Sequence, residues 1–185
     1  PFDQIRKVMN VFGQIVDYKS SFTRSHSFSV AEKVTKMARF YGYDESTVER
    51  MYIAGVLHDI GKMAVSNDIL EKPAKLSKTE FAYMQTHAWY TYVILSQING
   101  FEDITEWASL HHEKLNGSGY PFGKTGKDLS EKDRLVACVD IYQALSEDRP
   151  YKKGMDHAKC MSIMRDMASR GLIDARITED IDKKL

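Results

Sequence analysis

Three features of the sequence predict an all-α fold. Apolar residues recur at helical spacing along nearly the whole chain, no stretch of useful length alternates in the β manner, and capping residues stand where the periodic segments begin. The chain has 185 residues, the size of one domain or of a domain with an appended helix. Hydrophobic residues make up 43%, enough for a core.

Phe2, Ile5, Met9, Phe12, Ile15 and Val16 mark a first helix over 2–17. A second covers 25–41, with Val30, Val34, Met37 and Ala38 on one face, and Gly42 fits its stop. Asp44 opens a third, which carries Met51, Ile53, Ala54, Val56 and Leu57 and closes near Gly61. Ser77-Lys78-Thr79-Glu80 is a capping box starting a long helix to residue 98. Another helix is expected over 104–113. The stretch 114–129 is irregular and holds Gly117, Gly119, Gly123 and Gly126. Ser130 starts a helix to residue 145, and helices over 155–170 and 177–184 complete the chain.

Lysine plus arginine equals aspartate plus glutamate, 26 each, so the net charge is zero. That argues against a nucleic-acid polymer, which needs a basic face, and leaves room for a small anionic ligand held by a few local cations. Only Cys138 and Cys160 occur, and no secretory segment is seen, which points to a reducing, cytoplasmic interior. No apolar run has the length of a membrane span, so no membrane contact is expected of this segment. The chain starts at Pro1 with no initiator methionine and reads as a piece of a longer protein.

Six histidines are present: His26, His58, His87, His111, His112 and His157. Asp59 follows His58 directly. Imidazole and carboxylate are the ligands expected for zinc, manganese or iron, and an aspartate can bridge two metals. The histidines fall on different helices, which suits a site in the core of a bundle. Neighbours on a helix point about 100° apart, so His58-Asp59 and His111-His112 work best near helix ends or between two metals. Asp140, in LVACVDIYQAL, is an acid inside an apolar helix, costly unless paired or coordinated. Each residue alone also has a plain structural role. His26 or His87 can be a satisfied core histidine, and His111-His112 can complement a helix C-terminus. Asp140 can sit in a buried ion pair, and Arg149 can be a surface charge. His157, in MDHAKCM, is assigned to such a role. The case for chemistry rests on the combination.

HDIGK at 58–62, with His26 before it, resembles the HD metal-dependent phosphohydrolases. His87, HHE at 111–113, GSGYP at 117–121 and DRPYK at 148–152 make the resemblance one to the narrower HD-GYP family. It runs from about Thr23 to Asp174. It implies a helical bundle that hydrolyses cyclic di-GMP to pGpG and/or GMP through a metal-bridging hydroxide, with two divalent ions, iron or manganese. Carried over residue by residue, it implies His26, His58, Asp59, His87, His111, His112 and Asp140 as metal ligands, Asp59 bridging. It implies Asp59 and Lys62 as catalytic groups, and Tyr120, Arg149 and Lys152 as substrate-binding groups. Such chemistry is physically coherent: two close metals lower the pKa of water between them and neutralise charge growing on phosphate oxygens, and a placed lysine adds to that.

The resemblance also divides the chain. Residues 1–20 form an N-terminal helix that packs on the bundle or continues a linker from an upstream sensor, and residues 21–185 form the HD-GYP domain. An upstream sensor domain, a diguanylate cyclase-type partner and a homodimer are all compatible with an output module of this kind.

Several positions depart from the family pattern. Three-metal members carry a glutamate four residues before the first histidine, and here Phe22 stands there, so two metals are expected. Asn116 and Gln143 replace frequent aspartates near the expected ligand pocket, which leaves a second substrate open, such as cyclic GMP-AMP. Thr91 and Ala88 replace a usual glycine and proline after His87, Thr91 being expected to affect helix packing, and Ala175 replaces a proline after Asp174. A non-catalytic sensor of a cyclic dinucleotide is the remaining alternative, and the complete ligand set speaks against it.

Overall fold

The structure, a computed structural model, describes residues 2–19, 25–148 and 153–185. Its helices are α1 (Phe2–Lys19), α2 (His26–Phe40), α3 (Glu45–Leu57), α4 (Asn67–Leu70), α5 (Lys78–Leu95), α6 (Glu102–Ser109), α7 (Glu131–Ser146), α8 (His157–Ser169) and α9 (Ala175–Lys184). A 3-10 turn, Ile60–Ala64, joins α3 to α4. Among the described residues the only β pairing is one isolated bridge, Asn116 with Thr125. The all-α expectation holds.

Local chemistry sets most helix starts. Asp44 accepts from the Thr47 amide, and Ser77 and Ser130 each close a capping box, with Glu80 and Asp133. Gly42 follows α2 at φ 73°, a left-handed conformation that stops the helix. Asp174 accepts from the Ile177 amide and starts α9 two residues before its expected position.

The apolar stripes named from the sequence are the core. Val30, Val34 and Met37 of α2 are fully buried, with Met51, Ile53 and Leu57 of α3 and Leu135 and Val139 of α7. Met161 and Met164 of α8 and Ile177 and Ile181 of α9 close the far side. The first helix is different. Val16 is buried, but Ile5, Phe12 and Ile15 lie on an open face.

Two ends differ from expectation in a way that matters for the site. The third helix stops at Leu57, not near Gly61. The Gly61 amide donates to Thr91 Oγ1 on α5 (3.0 Å) instead of continuing the helix ladder. A side chain at Gly61 would place its Cβ 1.9 Å from the His87 carbonyl oxygen, so only glycine permits this close approach. Likewise α6 ends at Ser109, which puts His111 and His112 in the turn beyond it.

Candidate metal centre

Four segments bring their histidines to one place. His26 opens α2, His58 caps the end of α3, His87 sits inside α5, and His111-His112 follow α6. Asp59 starts the 3-10 turn and Asp140 comes from the middle of α7. The acid that looked costly in an apolar helix therefore faces a cluster.

The rings are held in one tautomer by the backbone. Nδ1 of His58 donates to the Gly55 carbonyl (2.7 Å), that of His87 to Met84 (2.7 Å) and that of His111 to Ala108 (2.6 Å). Each bond spans three residues back along the chain, so helix geometry itself aims Nε2 inward. His26 is set differently. Its Nδ1 meets Glu147 Oε2 at 2.8 Å and its Nε2 meets Asp140 Oδ1 at 3.0 Å.

The inward atoms form three overlapping groups. His26, His58 and Asp140 bring ligand atoms within 4.8 Å of one another, and so do His87, His111 and His112. Asp59 stands between these two trios and makes the third group with His58 and His111. Its Oδ2 is 3.4 Å from His58 Nε2, and its Oδ1 is 3.3 Å from His87 Nε2 and 3.8 Å from His111 Nε2. Lys62 Nζ closes on Asp59 Oδ2 from the cleft side.

These residues fit metal ions. The Nε2 atoms of His58, His87 and His111 are buried with no hydrogen-bond partner, a costly state for lone pairs unless a cation takes them. Burial, then the neighbouring His112, holds His111 well below the usual imidazole pKa, and burial, then His87, takes His112 down to about 3. Burial also opposes charge on Asp59 and Asp140. Lys62 and His58 outweigh it at Asp59, and His26 and His58 at Asp140, so both carboxyls stay well below the usual carboxylate range. Burial alone would lower His58, but Asp59 and Asp140 raise it well above the usual value. Ionised Asp59 and Asp140 and neutral His111 and His112 are thus in the form that ligates a metal, whereas His58 would release a proton on binding one. The His/Asp cluster can hold metal ions.

A cleft of about 290 Å³ opens onto this cluster, lined by Lys62, Leu70, Met84, Tyr120 and Ala144 together with ligand-type residues. Tyr120 leans over His112, with ring centres 4.7 Å apart. Burial pushes its phenol pKa up, so it faces the cleft as a neutral hydroxyl. The loop that carries it is pinned from below by Glu113, whose Oε1 accepts from the Phe122 amide (2.7 Å) and the Gly123 amide (3.1 Å). Gly119 crosses that residue so closely that a Cβ would lie 2.4 Å from Glu113 Cα.

Of the residues singled out from the sequence, His26, His58, Asp59, Lys62, His87, His111, His112, Tyr120 and Asp140 come together here. Arg149, Lys152 and Phe22 lie outside the described residues. His157 lies apart, between Tyr142 Oη (2.9 Å) and Asp182 Oδ1 (2.9 Å). Asn116 is exposed and accepts from the Ser118 amide within its own turn, so it does not line the cleft as expected. Gln143 reaches Lys33 (2.7 Å) and Glu147 (3.0 Å) and touches the site only through that chain of bonds to His26. Sequence reasoning missed three supporting residues. Glu113 lay in the quoted HHE motif. Thr91, read as a packing residue, joins the Gly61 amide to the His58 carbonyl oxygen (3.0 Å each). Glu147 carried no signal beyond standing next to DRPYK.

The HD domain family matches residues 10–177. Over 97% of its length the chain is 36% identical to the 3'3'-cGAMP-specific phosphodiesterase 1 of Vibrio cholerae, covering 42% of that protein. Over 84% it is 36% identical to a cyclic di-GMP phosphodiesterase of Pseudomonas aeruginosa, covering 38% of it. The chain thus spans less than half the length of these relatives. Among solved structures, the HD domain of the L. monocytogenes phosphodiesterase PgpH, in complex with cyclic-di-AMP, superposes with a TM-score of 0.69 at 15% identity. That superposition covers 95% of this chain and 92% of that one, and it speaks to the fold. With HDIGK and GSGYP folded around one cluster, the chain belongs to the HD domain family, in its HD-GYP branch.

Proposed function

We propose that this chain is a metal-dependent phosphodiesterase that hydrolyses cyclic di-GMP to pGpG and/or GMP at the His/Asp cluster. The observation that carries the reading is Asp59, one carboxylate set between two trios of ligand atoms with Lys62 on its cleft side. His26, His58 and Asp140 would hold one divalent ion and His87, His111 and His112 a second, with Asp59 shared, and iron or manganese suits this nitrogen-rich set. Two ions at such a site supply positive charge and make water acidic enough to attack phosphorus at neutral pH.

The rest is the work of the chain. The carbonyls of Gly55, Met84 and Ala108 keep three imidazoles in the ligand tautomer. Lys62 places a cation where negative charge grows on the phosphate, an effect worth about 3 kcal/mol at comparable sites. Tyr120 offers a neutral hydroxyl to the ligand at the cleft wall. By the family resemblance, Arg149 and Lys152 hold the phosphates and bases. An upstream sensor segment and a diguanylate cyclase-type partner suit a domain whose relatives are more than twice its length. A second reading, hydrolysis of cyclic GMP-AMP, is favoured by the likeness to the 3'3'-cGAMP-specific phosphodiesterase 1 of Vibrio cholerae.

The test is turnover of both dinucleotides by anaerobically prepared protein loaded with Fe(II) or Mn(II), with His58→Ala/Asp59→Ala as the blank. Hydrolysis of cyclic di-GMP that vanishes in the blank is expected. Faster hydrolysis of cyclic GMP-AMP would move the assignment to the second reading. Binding without turnover of either, at about two metals per chain, would overturn both in favour of a sensor.

A further inference from the structure

The histidines of the centre are not held alike. His58, His87 and His111 each donate Nδ1 to a carbonyl three residues back, a bond that needs a helical turn before the ring. His26 is the first residue of α2, so no turn of its own helix precedes it. Its Nδ1 meets a side chain instead, Glu147 Oε2 at 2.8 Å.

Glu147 is an acid where local chemistry does not favour one. It stands just past Ser146, the last residue of α7, at the helix end that repels negative charge, and its side chain is only 12% exposed. Its surroundings offset that cost. The oxygen that meets His26 also accepts from Gln143 Nε2 (3.0 Å). Gln143 Oε1 accepts from Lys33 Nζ (2.7 Å), and the Lys33 ammonium is attracted by the Glu147 charge. An ammonium can only donate, so it turns Oε1 of Gln143 toward itself and Nε2 toward Glu147. Glu147 is thereby the acceptor for both of its neighbours, and His26 keeps Nε2 for the cluster. The backbone beneath is clamped. A Cβ on Gly154 would lie 2.0 Å from the Ser146 carbonyl oxygen, and the Met155 amide donates to the Leu145 carbonyl (2.9 Å).

We propose that Glu147 is a positioning residue for one of the two ion sites, the one formed by His26, His58 and Asp140, and that it sets the affinity of that site without altering the other. The inference rests on the two-ion reading given above. An imidazole that donates to a carboxylate is better aimed and more basic at its free nitrogen, and the charge-assisted bond is stronger than one to a neutral carbonyl. His87 and His111, in the other trio, lean on carbonyls and owe nothing to Glu147. Lys33 and Gln143 serve by holding the carboxylate in place.

Titration of the metal-free 185-residue chain with Mn(II) against a competing chelator, followed by electron paramagnetic resonance, tests this without any substrate. The wild-type chain should take up about two ions, close enough to be spin-coupled. Glu147→Gln keeps the size of the side chain and removes its charge. It should weaken one uptake step about 10–100-fold and leave the other in place, so that the uncoupled hyperfine pattern of a lone ion replaces the coupled signal. Gln143→Leu should act in the same direction by several-fold, since it loosens the carboxylate without removing it. The melting transition of the metal-free protein separates a folding defect from a lost ligand geometry, and Gln143→Leu carries the test if Glu147→Gln folds poorly. A wild-type chain that holds fewer than two ions would overturn the two-ion reading and this inference with it. Two ions in the wild type with both steps unchanged in Glu147→Gln overturn this inference alone. So does equal weakening of both steps, or a third ion that disappears with the Glu147 carboxylate and makes it a ligand.

Discussion

Two helix exits build the centre, and they are secured by different means. After α3 the chain turns at His58-Asp59, and after α6 it turns at His111-His112. In both, the first histidine donates Nδ1 to the carbonyl three residues back. Beyond that point they part. The first exit is wedged against α5 by backbone, with Gly61 on the His87 carbonyl and Thr91 joining both strands of the turn. The second runs into a glycine loop whose tip is pinned by the Glu113 carboxylate and whose Gly119 lies on the Glu113 backbone. Both close backbone approaches tolerate no added atom, but only the second exit adds a buried carboxylate that takes two loop amides. The first exit therefore sets His58 and Asp59 against His87, and the second sets His111 and His112 and, through the loop beyond them, Tyr120.

Gly61→Ala should break the comparison most severely. The new methyl has no room beside His87, and we expect a loss of about 3 kcal/mol of stability, the upper range for overpacking, together with loss of bound metal. Denaturant unfolding and metal analysis read both. A stable, metal-replete Gly61→Ala protein would show that the wedge is not tight.

Thr91→Val keeps the shape but leaves the Gly61 amide without its acceptor and the His58 carbonyl without its donor. A cost of about 2 kcal/mol is expected, with weaker metal retention under chelator challenge. Stability equal to wild type would mean that the hydroxyl does not hold the turn.

Glu113→Gln is the mildest change. It keeps one acceptor oxygen and removes the charge, so about 1 kcal/mol is expected from the two loop amides. Bound metal should be unchanged, while KM for the hydrolysed dinucleotide rises several-fold and kcat less. If metal is lost instead, the two exits are not separable and the contrast between them fails.

Much of this was legible in the residues. Periodicity located the helices because a stripe that must be buried repeats every turn. Asp140 declared itself by its apolar neighbours, and the paired residues at 58–59 and 111–112 suited helix ends or a place between two metals, and they stand at helix ends. The supporting groups were not legible. Thr91 looked like a packing substitution because nothing local marks a hydroxyl that bonds the backbone of a turn some thirty residues away. Asn116 looked like a pocket residue because its place in the motif suggested it, yet its nearest partner was its own turn.

The sequence by itself determined the helical class, the imidazole and carboxylate types of the cluster and the glycines that let backbone approach backbone. These depend on residue identity and on spacings of a few positions. Only the tertiary structure decided that Asp59 stands between two trios, that Glu147 and Glu113 brace the site, and that α1 turns part of its apolar stripe outward. Those are relations between segments far apart along the chain, set by how helices cross, and no local pattern encodes the angle at which they meet.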